Sequence, residues 1–439
     1  MNNTLIDINL LNEEIGKFGI KDLNNASIRE IVGLVNNLQE KTGVKFFRME
    51  MGVPGLNPPE IGTNAEIEAL KRGVASAYPM VNGIKDLKTE ASKFIKNFMG
   101  IDIDSESCIP TSGAMQGTYA TFLLCSNLDK KRDTALFIDP GFPVQKQQFA
   151  VMGHKFASFD VYNYRGNALR YKLESYLSQG NINSIIYSNP NNPSWICFTE
   201  EELKIIGDIA NKYDVIVIED LAYFGMDFRK DLYHPGKPPY QASVANYTDN
   251  YVLLISGSKI FSYAGQRIAV TAISDKLYNR AYPNLNERFN CDKFGYTFVL
   301  RIIYSLSSGV SHSAQYALAA MFKAANENRF NFIDEVKEYE KRAIIMKKMF
   351  INNGFKIVYD KDIDLELADG FYFTISYPGL NGGELLKQLL SFGISAISLL
   401  NTGSTRDEGL RACVSQIKTE DMQELEKRLN MMTTNINNR

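Results

Sequence analysis

The chain has 439 residues, of which 45% are hydrophobic and 22% are charged. Its formal net charge is -2, from 48 basic and 50 acidic residues, and it contains no basic tract or acidic tail. These values indicate a globular protein of two or three domains and give no sign of a nucleic-acid or membrane partner.

The five cysteines are scattered along the chain, and the three histidines are isolated from one another. The cysteines therefore predict buried thiols in a reducing compartment, and neither residue type has the spacing of a metal site. The N-terminus lacks the basic start and long apolar run of a signal peptide, and the apolar runs elsewhere are strand-sized. We therefore expect a soluble cytoplasmic protein without a metal.

The first part of the chain combines a polar arm with a helix. Residues 1–25 are Asn-rich and are predicted to form a loose arm. Ser27 and Glu30 have the spacing of a capping box, and apolar residues at helical spacing predict a helix to about Thr42. A short strand is expected over 46–51, before a Pro- and Gly-rich stretch at 52–59 that marks a domain crossing.

The middle of the chain alternates between strands and helices. Continuous apolar strands that alternate with helices predict a mostly parallel sheet covered on both faces. Residues 227–248 are expected to form an irregular surface insertion. Helices are predicted over 62–74, 84–99 and 199–212, and two more follow the turn 112–117, to about residue 127, and the segment 139–143, to about residue 152. The predicted strands are 108–111, 135–138, 184–188, 215–218, 251–256 and 267–273.

The pattern changes from about residue 310. A helix at 330–352 is long enough to link two domains, and the segments after it indicate a smaller α/β domain. The other predicted elements here are helices at 312–327, 382–391 and 419–430 and strands at 371–376, 395–399 and 410–415. We therefore divide the chain into an N-terminal arm and helix (1–55) that packs with the small domain, a large domain (56–310) and a small C-terminal domain (311–439).

A lysine lies on a predicted turn between two apolar strands. Lys259 has Ser256 and Ser258 just before it and Arg267 eight positions after it. A lysine amine that loses its proton forms Schiff bases with aldehydes, while hydroxyls and a guanidinium bind phosphate. The stretch therefore predicts a lysine bound to pyridoxal phosphate (PLP), although the same short pattern also fits a solvated loop lysine.

Other candidate residues lie where apolar strands end. In open α/β sheets, ligands bind at the carboxyl ends of the strands. The turn 112–115 also precedes a helix, an arrangement that directs free backbone N–H groups at an anion. The remaining residues at such positions are Phe142, Asn192, Asp220, Tyr223 and Lys259. We expect all of them to meet at one ligand site.

From about Gly52 to Arg411, the chain resembles class I/II aminotransferases, the aspartate aminotransferase-like group of PLP-dependent enzymes of fold type I. The resemblance is carried by Asn-Pro-Asn-Asn-Pro-Ser at 189–194, Asp-Leu-Ala-Tyr at 220–223, Ser-Gly-Ser-Lys at 256–259 and the downstream arginine. Each motif alone is weak, but the ordered set is specific. It implies an α/β fold with a mostly parallel seven-stranded sheet sandwiched by helices in the large domain, and a smaller α/β domain.

The resemblance also implies roles at the cofactor ring. Lys259 would hold PLP as a Schiff base and carry the proton during catalysis, and Asp220 would pair with the pyridine nitrogen. Desolvation and nearby positive charge are expected to lower the lysine pKa far below about 10.4. Asn192 and Tyr223 would hydrogen-bond the ring hydroxyl oxygen, and Phe142 would stack on the ring.

Phosphate binding is implied at the start of the helix after residue 112. Tyr78 would reach the phosphate from the neighbouring subunit, so the resemblance implies a homodimer with shared active sites. The residues of the same chain implied in this role are Gly113, Ala114, Met115, Ser256, Ser258 and Arg267.

The resemblance also implies residues that bind the substrate. Arg411 would clamp the α-carboxylate of the substrate, assisted by Asn192, while the backbone near Gly52 closes over it. The sequence identifies no second arginine for a dicarboxylic substrate. Aromatic residues near the expected site favour an apolar or aromatic substrate, and these are Tyr78, Phe142, Trp195, Tyr223 and Tyr263.

Two departures from the family pattern bear on the pocket. The family commonly has Thr-Gly after the second Asn-Pro, whereas this chain has Ser194 and Trp195. We expect the indole to narrow or line the pocket. The insertion at 227–248 is expected to cover the mouth of the site or to form a subunit contact.

The resemblance therefore implies a homodimeric PLP enzyme that moves an amino group between an L-amino acid and a 2-oxo acid by a ping-pong mechanism. Two alternatives stay open from sequence. The same cofactor could serve another reaction at Cα, such as a C–S β-lyase, or the chain could be a non-enzymatic PLP-binding regulator. Such regulators usually carry a DNA-binding module, and the short N-terminal segment has no room for one.

Overall fold

The computed structural model describes residues 4–437. Within them lie a seven-stranded sheet, a four-stranded sheet and two pairs of short strands. The strands are β1 (Phe47–Arg48), β2 (Cys108–Thr111), β3 (Thr134–Asp139), β4 (Lys155–Asp160), β5 (Ile182–Ser188), β6 (Ile216–Asp220), β7 (Tyr251–Ser256), β8 (Ala269–Ile273), β9 (Lys356–Ile357), β10 (Lys361–Asp362), β11 (Leu365–Glu366), β12 (Tyr372–Ser376), β13 (Ile394–Ser395), β14 (Ile397–Ser398) and β15 (Leu410–Cys413).

Helices connect and cover these strands. Among the described helices, none combines the length and the apolar character that crossing a membrane requires. A π-helical stretch, Phe298–Ile303, joins α12 to α13. The α-helices are α1 (Ile8–Lys17), α2 (Ile28–Thr42), α3 (Glu60–Lys71), α4 (Lys85–Met99), α5 (Gly113–Cys125), α6 (Pro143–Met152), α7 (Asn167–Leu177), α8 (Glu200–Tyr213), α9 (Gly257–Ile260), α10 (Asp275–Asn279), α11 (Pro283–Phe289), α12 (Phe294–Thr297), α13 (Tyr304–Ser307), α14 (His312–Asn326), α15 (Phe332–Val336), α16 (Glu338–Asn352), α17 (Gly382–Ser391) and α18 (Met422–Asn437).

The seven-stranded sheet has the order β2-β8-β7-β6-β5-β3-β4. Only β8 runs antiparallel to its neighbours, so the predicted mostly parallel seven-stranded sheet is confirmed. Alternate residues of β7 enter different cores: Leu253 and Ile255 pack in one, and Val252 and Leu254 in the other. Both faces of the strand are therefore covered, which explains its continuous apolar sequence.

The C-terminal part builds a four-stranded antiparallel sheet with the order β14-β15-β12-β9. The N-terminal segment contacts this part of the chain. Strand β1 pairs in parallel with β13, and the backbone N–H of Ile6 donates to the Ser391 carbonyl at 2.9 Å. The boundaries of the three domains stay a prediction.

Several local predictions match the structure closely. The capping boxes of Ser27 with Glu30 and of Thr199 with Glu202 are both present. Strand β7 and helix α17 have the predicted bounds. In each case the signal is local, since a cap or a short apolar run bounded by turn residues identifies the element.

Other local predictions are wrong. Residues 4–25 are not a loose arm, because Asp7 caps helix α1, Leu11 is buried and the buried Glu14 carboxylate pairs with Lys17 and Lys41 at 2.9 and 2.7 Å. Residues 1–3 lie outside the described residues. The predicted helix 330–352 is instead two helices, α15 and α16, and the sequence-based prediction missed β4 and α7.

A buried ion network joins the hairpin β10–β11 to the large sheet's loops. The Asp362 carboxylate lies 2.7 Å from Arg165 Nη1 and 2.9 Å from Arg229 Nη2. It also accepts a hydrogen bond from the Cys197 backbone N–H at 3.2 Å. The buried Asp362 carboxylate therefore bridges two guanidinium groups, and each of them also pairs with a second carboxylate, Arg165 with Glu202 at 2.8 Å and Arg229 with Asp227 at 2.7 Å.

Replacing Asp362 by Ala should destabilise the protein by about 1–3 kcal/mol, because it removes the carboxylate that bridges two partly buried guanidinium groups and leaves the buried Cys197 N–H without its acceptor. The urea unfolding transition of the purified protein measures the effect. Asp364→Ala is the control, since that carboxylate is exposed and lies two positions along the same hairpin. An Asp362→Ala midpoint equal to that of Asp364→Ala would contradict the prediction.

Candidate active site

A cavity of about 380 Å³ lies at the carboxyl edge of the seven-stranded sheet. It brings together all but two of the predicted site residues. The two exceptions are Gly113 and Tyr78. The predicted residues that line the cavity are Gly52, Ala114, Met115, Phe142, Asn192, Asp220, Tyr223, Ser256, Ser258, Lys259, Arg267 and Arg411.

Lys259 lies on α9, a single helical turn that directly follows β7. The Ser256 hydroxyl caps this turn by accepting the Ser258 backbone N–H at 3.1 Å. The Lys259 Nζ donates to the Gly52 carbonyl. Burial lowers the pKa of the amine to about 8, and the positive charges of Arg411 and Arg267 act in the same direction. The amine is therefore close to the neutral form that attacks an aldehyde.

Asp220 ends strand β6 and is buried. Its two oxygens accept hydrogen bonds from Gln145 Nε2 at 2.8 Å and from the Ala222 backbone N–H at 3.1 Å. In the part of the chain that the structure describes, it forms no salt bridge. Burial raises the pKa of the carboxyl to about 6. A buried carboxylate with neutral donors alone suits a cationic ligand atom, such as a protonated pyridine nitrogen.

Arg411 lies on β15 and is buried. Its Nη1 donates to Asn192 Oδ1 at 3.3 Å and its Nη2 to the Glu50 carbonyl at 2.5 Å. The guanidinium carbon lies 4.6 Å from the centre of the Tyr372 ring. Its Nε is buried and has no partner among the described residues. This donor is free to bind an anion that enters the cavity.

The start of α5 forms the other end of the site. Gly113 has a φ of +66°, and a Cβ there would lie 2.4 Å from Arg267 Nη2. Glycine is therefore required where the guanidinium packs against the first helical turn. The Arg267 Nη1 donates to the Ala264 carbonyl at 2.9 Å. The first N–H groups of a helix lack intrahelical acceptors, so those of Ala114 and Met115 can bind an anion.

Tyr78 and the two departures from the family pattern lie away from the cavity. Tyr78 is 90% exposed. Trp195 is fully buried behind Tyr223, with a ring-centroid distance of 5.3 Å, and does not line the cavity. The expectation that it lines the pocket is therefore wrong, because its left-handed backbone (φ 65°) directs the indole into the core.

The insertion 227–248 does not line the cavity either. It is irregular apart from one turn of 3-10 helix at Val244–Asn246. Its Gly236 and Gln241 N–H groups donate to the carbonyls of Asn97 and Phe98 at the end of α4. The insertion thus packs against the fold instead of covering the mouth of the site.

Sequence reasoning missed several residues of the cavity. Gln145 and Tyr372 line it, and neither belongs to a recognisable motif. Ile28, Arg29 and Val32 of α2 also line it. The capping box at Ser27 identified where this helix begins, but the sequence does not show which side of the helix faces the site.

Comparisons with known proteins identify the family of the chain. The family model described as aminotransferase class I and II matches residues 48–429. A probable aspartate aminotransferase of Methanocaldococcus jannaschii is 24% identical over 84% of this chain and 87% of its own length. The aspartate aminotransferase of Pyrococcus horikoshii is 23% identical over 76% of this chain and 77% of its own length.

Solved structures share the fold. The alanine aminotransferase of Pyrococcus furiosus superposes with a TM-score of 0.75 at 19% identity, over 93% of this chain and 96% of its own. The donor set of the cavity also fits PLP: an amine, a buried carboxylate without a counter-ion, and a helix start with an arginine. The chain belongs to the class I and II aminotransferase family and is a PLP-dependent enzyme that transfers an amino group between an amino acid and an oxo acid.

Proposed function

We propose that this aminotransferase acts on amino acids with an acidic side chain, aspartate or glutamate, and on the corresponding 2-oxo acids. The observation that carries the proposal is Arg29. Five charged side chains line the cavity, and the resemblance gives roles to four of them: Asp220, Lys259, Arg267 and Arg411. Arg29 is the fifth, and within residues 4–437 it makes no salt bridge or side-chain hydrogen bond.

A free guanidinium at the cavity is suited to a second carboxylate on the substrate. The names of the relatives from Methanocaldococcus jannaschii and Pyrococcus horikoshii, both aspartate aminotransferases, support the same substrate class. The expectation of an apolar or aromatic substrate rested on five aromatic residues, and only two of them, Phe142 and Tyr223, line the cavity. That expectation therefore loses its basis. Tyr263 instead donates to Glu66.

The proposed cofactor roles follow the donor set. Asp220 would hold a proton on the pyridine nitrogen, and Asn192 and Tyr223 would hydrogen-bond the ring oxygen. The N–H groups of Ala114 and Met115 would hold the phosphate. The other proposed cofactor contacts are Gly113, Phe142, Ser256, Ser258 and Arg267.

The Lys259 amine would be the main catalytic group of the chain. When bound, PLP supplies an electron sink that stabilises negative charge at the substrate Cα. Lys259 Nζ would move the proton at that carbon, since its lowered pKa allows it to accept and return a proton near neutral pH. Arg411 would orient the α-carboxylate as a bidentate partner, and the backbone at Gly52 would exclude water above it.

The proposed assembly is a homodimer that works in the cytoplasm. Tyr78 would act in the partner's site, which is consistent with its 90% exposure. Met80 on the same loop is 71% exposed. Two large apolar side chains on one exposed loop suit burial against another copy of the chain.

The rate at which the cofactor-free protein captures PLP should rise with pH, with a midpoint near 8. Only the neutral amine attacks the aldehyde, and burial brings its pKa down to that value. Stopped-flow absorbance at constant ionic strength measures the rate. Lys259→Ala should form no Schiff base with PLP, so borohydride should not attach the cofactor permanently to this variant. A midpoint near the ordinary lysine value of about 10.4 would contradict the burial argument.

Asp220→Asn should stabilise the cofactor-free protein at pH 8 by about 1–3 kcal/mol, although it abolishes tight PLP binding. The folded-state pKa of about 6 lies above the ordinary value of 3.8, so the ionised carboxylate destabilises the fold as pH rises through that window. The gain should vanish below about pH 4. Urea unfolding at both pH values tests this, with the exposed Asp364→Asn as control; a variant less stable than wild type at pH 8 would contradict it.

Arg29→Gln should raise KM for aspartate and glutamate about tenfold or more, equivalent to about 1.4 kcal/mol, and leave KM for alanine unchanged. Steady-state kinetics with each amino donor measures the effect. Arg170→Gln is the control, since it removes the same charge from α7, outside the cavity. Equal losses for alanine and aspartate, or no change for either, would overturn the proposed substrate class.

A further inference from the structure

We propose that Tyr372 is a positioning residue of the active site that orients the Tyr223 hydroxyl and exchanges hydrogen-bond roles with it when a ring oxygen binds. The two hydroxyl oxygens lie 2.8 Å apart, with Tyr223 donating to Tyr372. This inference rests on the proposed contact of Tyr223 with the PLP ring oxygen, and it adds to the site a residue from the C-terminal sheet.

The pair connects two distant parts of the fold. Tyr223 follows β6 of the seven-stranded sheet, whereas Tyr372 begins β12 of the four-stranded sheet. Both side chains are buried and both line the cavity. Their ring centroids are 5.5 Å apart, at an interplanar angle of 74°. The contact therefore fixes the Tyr223 phenol from a part of the chain that supplies no cofactor ligand of its own.

Tyr372 is itself held from two further sides. A Cβ on Gly52 would lie 2.0 Å from its hydroxyl oxygen, so the backbone at that position packs directly on the phenol. The Arg411 guanidinium carbon lies 4.6 Å from its ring centre. A cation over an aromatic face is attracted by the electron density of the ring. These contacts leave the Tyr372 ring little freedom to move away from Tyr223.

Trp195 supports the same pair from behind. Its indole meets the Tyr223 and Tyr372 rings edge-on, with centroids 5.3 and 6.1 Å away. The space for the indole exists because residue 370 is glycine, where a Cβ would lie 2.2 Å from the indole. The unusual tryptophan at this position therefore acts as a wedge that holds both tyrosines.

The proposed exchange of roles follows from the number of hydrogen-bond donors in the Tyr223–Tyr372 pair. A phenol has one hydrogen to donate and can also accept. The Tyr223 hydroxyl donates its hydrogen to Tyr372, whose own hydroxyl hydrogen has no acceptor among the described side chains. When Tyr223 turns its hydrogen to a ring oxygen, Tyr372 can donate to Tyr223 in return. Such a chain strengthens each bond in it and favours the anionic form of the ring oxygen.

A pH titration of the absorbance of the PLP-loaded protein tests the inference without measuring turnover. The midpoint of the visible band reports the proton shared by Lys259 and the cofactor, and an anionic ring oxygen keeps it low. Tyr223→Phe and Tyr372→Phe should each raise this midpoint, the second by about 0.5–1 unit, a threefold to tenfold change in proton affinity. The double variant should match Tyr223→Phe alone, because Tyr372 acts through Tyr223.

The control is Tyr377→Phe. Tyr377 is a buried tyrosine just beyond the end of β12, and its hydroxyl makes no hydrogen bond within residues 4–437. Its replacement removes the same atom from the same strand region and should leave the midpoint unchanged. Trp195→Phe is a second route to the same test, because it weakens the wedge and keeps both hydroxyls. It should raise the midpoint in the same direction, by less than Tyr372→Phe.

The possible results separate the two proposals. A shift with Tyr223→Phe but none with Tyr372→Phe overturns the inference and leaves the proposed role of Tyr223 standing. No shift with either variant overturns the role of Tyr223 itself. Additive shifts in the double variant also overturn the inference, since they would mean that Tyr372 acts independently. If Tyr372→Phe does not retain PLP, an unchanged midpoint in Trp195→Phe overturns it instead.

Discussion

The active site depends on the parallel register of three neighbouring strands, β5, β6 and β7. Ser188 is paired with Asp220, and Asp220 with Leu254, so β5 and β6 end at one level and β7 continues for two residues beyond it. The loop that carries Asn192, the Asp220 carboxylate and the turn that carries Lys259 therefore emerge side by side. Strands that run in parallel bring their carboxyl ends to one edge, and only there can three separate loops surround one ligand. The arrangement buries the Asp220 carboxylate with two neutral hydrogen-bond donors and no counter-ion, which destabilises the ionised form until a cation binds.

The second half of the site comes from parts of the chain far from these strands. Arg411 and Tyr372 belong to the four-stranded sheet, while Gly52 and Arg29 belong to the N-terminal segment. The backbone at 50–52 lies between the two sheets, where its carbonyls accept from both Arg411 and Lys259. The geometry of the cavity therefore depends on how the C-terminal sheet sits on the large sheet. The network around Asp362 stabilises that contact at a second place.

This division explains what could be predicted from the sequence. Residues that follow apolar strands were identifiable because the strand pattern is local and the edge of a parallel sheet is shared. Trp195 was misplaced because its direction depends on a left-handed backbone and on the space left by Gly370, neither of which a local pattern reveals. Arg29 and Tyr372 were missed for the same reason. Each lies in an ordinary helix or strand, and only tertiary contacts bring it to the site.

Three of the four cations that line the cavity share one further property. Lys259 donates to the Gly52 carbonyl, Arg411 to the Glu50 carbonyl and the Asn192 amide oxygen, and Arg267 to the Ala264 carbonyl. Each is held in place by a neutral oxygen, so its position is fixed while its charge is not neutralised. Against the single carboxylate of Asp220, the cavity therefore presents a net positive field before any ligand arrives. A phosphate and one or two carboxylates are the groups that such a field attracts, and prearranged donors bind them with little reorganisation of the protein. The charge balance of the pocket thus favours a phosphorylated cofactor and an anionic substrate together.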